Sequence, residues 1–103
     1  MKFWISGYSR KNYPSAALYD SKRSAALWTA DLENPSYLCF RGPYLFALGE
    51  FDNYGSLSSF RREGNTFLPV DTLHLEGGAL CHITPDPDMT VLAGSCWGTG
   101  HFF

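Results

Sequence analysis

Charge is scarce in this chain of 103 residues: Asp, Glu, Lys and Arg make up 17% of it and sum to a formal −2 at pH 7. The eight Lys and Arg residues are scattered and form no basic stripe, which argues against a nucleic-acid surface or an electrostatic membrane anchor. Cysteine is equally sparse. Cys39, Cys81 and Cys96 are odd in number and sit inside apolar runs, so no disulfide framework is expected. The chain enters Phe3-Trp4-Ile5 without the charged start, apolar stretch and cleavage site of a secretory signal, and a reducing cytoplasm is the expected compartment. No apolar run approaches the length of a membrane span, so a soluble protein is expected.

Several catalytic signatures are missing too. Gly94 to Gly100 lacks the Lys and the following helix of a phosphate-cradling loop, and no Gly-x-Ser-x-Gly elbow is present. Cys81-His82 with Cys96 has no second Cys or His pair at zinc spacing, and His74 and His101 belong to other strands. No metal and no cofactor are therefore expected.

What the chain does have is apolar and aromatic substance, 45% hydrophobic and 17% aromatic, ample for a packed core. Its organising stretch is Asn34 to Phe60. Pro35 to Phe40 and Tyr44 to Leu48 read as strands around an Arg41-Gly42-Pro43 turn, and Asp52 to Gly55 separates them from a third run, Ser56 to Phe60. The same grammar returns in Ala79 to Phe103. There an apolar run, a Pro/Asp turn at Pro85 to Asp88, a second run from Met89 to Gly94, a Gly-rich turn and a third run follow one another. Laying Leu45-Phe46-Ala47 on Val91-Leu92-Ala93 and Gly55 on Gly100 gives a period of about 45 residues, with one extra residue in the first turn. Four strands in such a period is the pattern of a propeller blade.

Taken in order, Lys2 to Tyr8 reads as a strand and Ser9 to Ser15 as a polar turn. Ala16 to Asp20 and Ala25 to Asp31 follow as strands around Ser21 to Ser24, although the Ala pairs of Ala25 to Leu32 also suit a helix. Thr66 to Leu75 alternates loosely around Pro69, and a proline inside a strand belongs at an edge or a bulge, as in the outermost strand of a blade. Ten strands result: three in 1–32, four in 34–75 and three in 79–103. The expected fold is all-β, built of antiparallel four-stranded propeller blades, about two and a half of them. A closed ring takes at least four blades, roughly 160 residues, so this stretch cannot close alone. Its ending at His101-Phe102-Phe103, in mid-strand without a polar stop, leads to the expectation of a fragment with open sheet edges that self-associate.

Gly7 to Ser9 after the first strand, Glu33 to Ser36, the strand ending in Glu50, and Gly78 to His82 followed by a Pro-Asp turn together resemble the seven-bladed propeller lactonases. That family includes 6-phosphogluconolactonase of the propeller type and the fungal carboxymuconate cyclases. The resemblance spans the whole chain and corresponds to about the first third of such a protein. It implies a hydrolase of carbohydrate metabolism acting on a small-molecule lactone, in the case of 6-phosphogluconolactone within the pentose phosphate pathway. It also implies that the N-terminal strands complete a blade whose remaining strand comes from the C-terminus. The chain departs from the family pattern at Gly49-Glu50, where relatives carry Asn-Glu, and at Ser95-Cys96 before Trp97, where they carry Asn-Tyr.

In an antiparallel meander the start of a blade's first strand and the end of its second lie at one edge of the sheet. Asn34, Ser36, Glu50, His82, Ser95 and Trp97 are thus expected near one face of the channel. Lactone hydrolysis needs a base for water and donors for the oxyanion. His82 fits the base or proton shuttle, and Glu50 either orients it or acts as the base. Asn34, Ser36, Ser95 and Trp97 are the substrate-binding candidates, with turn chemistry the plainer role for Asn34 and Ser36 and packing the plainer role for Trp97. A non-catalytic propeller that binds a partner at the same mouth, or a cycloisomerase acting on a muconate-type lactone, would use the same frame.

Overall fold

The computed structural model describes residues 1–103 and contains nine strands and no helix. They are β1 (Lys2–Ser6), β2 (Ala16–Asp20), β3 (Ala25–Ala30), β4 (Pro35–Arg41), β5 (Tyr44–Glu50), β6 (Tyr54–Glu63), β7 (Thr66–Glu76), β8 (Leu80–Pro85) and β9 (Leu92–Cys96). Every pairing is antiparallel, in three sheets ordered β1-β2-β3, β4-β5-β6-β7 and β8-β9. With no helix present, none is long and apolar enough to cross a membrane.

Local chemistry explains the elements. Gly42, at φ 54°, and Pro43 are the two loop residues between the paired Arg41 and Tyr44; a positive φ that Gly supplies, then a negative φ that Pro enforces, is the φ sequence of a type II′ hairpin turn. Ala25 to Ala30 is a strand despite its alanines, because pairing with β2 and the packing of Leu27 and Trp28 against the adjacent core outweigh a helix propensity worth a few tenths of a kcal/mol per residue. Pro69 lies on β7, the edge strand, opposite Phe60, where the register shifts between Ser59 and Phe60. Edge and bulge together remove the need for its missing N–H.

The four-stranded sheet is covered on both faces, and β5 is accordingly buried along almost its whole length. Toward β1–β3, Leu45, Ala47, Phe60 and Phe67 meet Leu18, with Trp4, Leu27 and Trp28 packed around them. Trp4 stands edge-on to Phe67 at 4.9 Å and Trp28 lies 5.4 Å from the same ring. Toward β8–β9 the core is mainly aliphatic: Phe46, Leu48 and Leu57 against Leu80, Ile83 and Cys96. Burial of each large side chain is worth about 1.5–3 kcal/mol, so these two faces dominate the stability of the arrangement. Beside the second core a hollow of about 400 Å³ stays open between β5–β7 and the β8–β9 turn; its lining carries no titratable side chain.

The sheets pack as successive blades. β8 lies against β4 and β5, β1 lies against β4, and β3 against β7. Because β1 stands to β4 as β5 stands to β8, β1 occupies the second-strand place of its blade, and its edge away from β2 is unpaired.

Two expectations need correction. Residues 79–103 form two strands, not three: the last run pairs with β9 only through a single bridge between Ser95 and Phe102 and the flanking Gly94–Phe103 and Cys96–His101 backbone bonds. A segment this short, directly after the Gly98-Thr99-Gly100 turn, has too few ladder bonds to count as a strand. The repeat is also offset differently. Pro35 pairs with Gly49 and Tyr37 with Leu48, while Leu80 pairs with Cys96 and His82 with Ser95. The turn of the second repeat is thus two residues longer, and Glu50 corresponds to Trp97 rather than to Cys96.

Candidate active site

Each repeat opens with a residue in the left-handed region, Asn34 at φ 45° and Ala79 at φ 52°. Each then has a register shift one residue into the strand, between Pro35 and Tyr37 and between Leu80 and His82. The bulges contain Ser36 and Cys81. The opening residue's carbonyl accepts the amide at the end of the paired strand, Glu50 N–H to Asn34 O at 3.0 Å and Trp97 N–H to Ala79 O at 2.8 Å. The backbone frame is the same in both repeats.

The side chains differ. Asn34 Nδ2 donates to the Glu50 carbonyl at 3.2 Å, and its Oδ1 accepts the Ser9 amide at 3.1 Å. The Asn34 amide donates to Ser9 Oγ at 2.8 Å, and Ser9 Oγ donates to the Leu32 carbonyl at 2.7 Å. Asn34 thereby ties the loop after β1 to the end of β5. An Asn tolerates positive φ better than most residues, which is why this type suits the corner.

On the outer side of that clamp the Tyr8 hydroxyl donates to Glu50 Oε2 at 3.0 Å. The hydrogen bond to the Glu50 carboxylate and its negative charge hold the Tyr8 phenol above its usual pKa, so the proton stays on the phenol through the neutral range. Tyr8, Asn34, Glu50, Phe51, Asp52 and Ala79 line an open hollow of about 380 Å³ where the three sheets meet. No Lys or Arg lines it, so no positive group in this hollow would hold a phosphate or carboxylate.

The remaining candidates stand apart from this cluster. His82, exposed on β8, is the cross-strand partner of Ser95, and its ring lies 4.8 Å from Tyr37, the residue that corresponds to it one repeat earlier. Its imidazole makes no hydrogen bond to Glu50, whose carboxylate is taken by Tyr8. Ser36 Oγ is buried in the β4 bulge without a hydrogen-bond partner. Ser95 Oγ lies 3.5 Å from Cys81 Sγ. Trp97 is 82% exposed and packs against little. Cys39 is partly covered, and burial raises its thiol pKa, only partly offset by the Arg41 charge. Sequence reasoning missed Tyr8 and Asp52, which line the hollow; the signal for Tyr8 was its place two residues past the end of a blade's second strand, near the edge where Glu50 ends the second strand of the next blade.

Antiparallel sheets stacked face to face, with their first strands adjacent and polar side chains gathered where second strands end, define part of a β-propeller. The chain belongs to the family described as lactonase, 7-bladed beta-propeller, which matches residues 2–102. No curated protein matches the sequence at a significant level. Among solved structures, a proposed 6-phosphogluconolactonase from Bacteroides fragilis superposes with a TM-score of 0.81 at 18% identity, over 98% of this chain and 31% of that one. A protein from Lactobacillus plantarum superposes with a TM-score of 0.70 at 16% identity, over 99% of this chain and 32% of that one. The chain thus spans about a third of the length of these structures, and at such identities the likeness is one of fold.

Proposed function

We propose that residues 1–103 are the N-terminal part of a propeller lactonase that hydrolyses a sugar-acid lactone, of which 6-phosphogluconolactone is the leading example. The observation that carries the reading is the Glu50 carboxylate, gripped by Tyr8 at the mouth of a hollow and anchored through its backbone to Asn34. A carboxylate so placed can take a proton from water while the water oxygen bonds to the lactone carbonyl carbon. The ring C–O bond then breaks, the ring oxygen receives that proton, and the open acid leaves. His82, on the neighbouring first strand, fits the proton shuttle to the leaving oxygen. The cations that would hold a phosphate belong to other blades of such a propeller. Alone, the chain is expected to be inactive and to pair its open edges between copies.

The test is lactone hydrolysis by the whole propeller that carries this segment. Glu50→Gln is expected to lower kcat by about 100-fold or more, and His82→Ala by at least about tenfold, on the scale of lost general acid–base catalysis. A wild-type propeller that binds lactone without turning it over would replace this reading with a binding module. Conversion to a cyclic isomer in place of the open acid would replace it with a cycloisomerase.

A further inference from the structure

The geometry points to Tyr8 as a positioning residue for Glu50, acting across the boundary between two blades; the inference rests on the lactonase reading above. Tyr8 is 62% exposed, so burial does not account for its location. The hydrogen bond to Glu50 is the polar contact its side chain makes. Its backbone neighbours are both fixed: the Gly7 amide donates to the Ser15 carbonyl at 3.0 Å, and Ser9 exchanges hydrogen bonds with Asn34 in both directions. The phenol is therefore held in place before any ligand arrives, at low further entropic cost.

The same frame holds the other partner. Glu50 is tied through its amide to Asn34 O and through its carbonyl to Asn34 Nδ2, so both ends of the Tyr8–Glu50 bond are anchored on one asparagine. Tyr8 takes Oε2, which leaves Oε1 as the oxygen free to accept a proton from water. Because the phenol keeps its proton, supported by its raised pKa, Tyr8 is a steady donor and never competes with Glu50 as a base.

The experiment is steady-state lactone hydrolysis by the whole propeller, for wild type, Tyr8→Phe and Tyr8→Gln. Tyr8→Phe is expected to lower kcat about tenfold with KM within twofold. Tyr8→Gln, which restores a donor, is expected to recover part of the rate. If Tyr8→Phe changes KM alone, or Tyr8→Gln recovers none of the rate, Tyr8 does not position the base while the lactonase reading stands. If wild type itself hydrolyses no lactone, the function falls and the positioning role falls with it. In either case phenol titration by NMR, in wild type and Glu50→Gln, shows whether the pair exists: its pKa should drop toward that of free tyrosine in the variant.

Discussion

The chain builds one backbone corner twice and furnishes it differently. Asn34 and Ala79 share a left-handed φ, a bulge one residue on, and a carbonyl that accepts the amide of Glu50 or Trp97. In the first corner Asn34 adds side-chain bonds to Ser9 and Glu50, and a carboxylate faces the hollow. In the second, Ala79 has no group to offer and the exposed Trp97 stands where Glu50 would be. The fold requires the backbone geometry of both corners, but a polar constellation arises in only one. Chemistry in a repeat protein is thus a matter of side chains laid on an indifferent frame.

That contrast can be broken at four points. The largest effect is expected at Gly78, which corresponds to Glu33 in the earlier repeat. A Cβ there would run into the Asp52 carbonyl, whereas the earlier corner accommodates a full glutamate side chain. Gly78→Ala should destabilise by about 3 kcal/mol in urea unfolding, since the obstacle is backbone and cannot rotate away. Asn34→Ala converts the first corner into the second and should cost about 2 kcal/mol, the sum of lost hydrogen bonds and a less tolerant residue at positive φ. An unchanged urea midpoint would mean that the clamp is ornamental to stability.

Ala79→Gly works in the opposite direction. Removing a Cβ from a left-handed position should stabilise by about 0.5 kcal/mol, seen as a small rise in Tm. The smallest effect concerns the turns. Asp86 accepts the Val91 and Thr90 amides and the Thr90 hydroxyl, which hold its carboxyl below the usual range. A depressed carboxylate pKa adds stability that is present above the unfolded value of about 3.9 and is lost as pH falls through the lower folded value. Acid should therefore lower the amide protection factors of Thr90 and Val91, taken against the intrinsic exchange rate at each pH, without lowering those of the Arg41–Tyr44 turn, which has no such carboxylate. An equal loss of protection at both turns would refute the assignment.

Much of this frame was legible in the sequence because alternation, turn residues and the repeat are local or periodic signals. Strands β4 and β5 around Gly42-Pro43, and the edge placement of Pro69, follow from neighbouring residues alone. The register of the repeat was less so: Leu45-Phe46-Ala47 resembles Val91-Leu92-Ala93 by hydropathy, yet the six residues held together by Asp86 shift the ladder by one more position. The site was legible only in part. Asn34 and Glu50 stand out as polar residues at strand ends, but Tyr8 meets Glu50 across a sequence gap of 42 residues, a pairing that only blade packing creates. His82 and Glu50 look like natural partners in composition, whereas the packing gives His82 an aromatic neighbour and Glu50 a phenol.

Tyr8 sits in the loop after β1 and Glu50 ends β5, yet both hang from Asn34, so the bond is a rivet across the blade seam that travels as one piece. A tilt of the first blade against the second leaves the Tyr8–Glu50 spacing to be set by the Asn34 corner, which holds both partners. Losing that corner, as in Asn34→Ala, would uncouple the two partners and let the carboxylate part from the phenol while both cores stay packed.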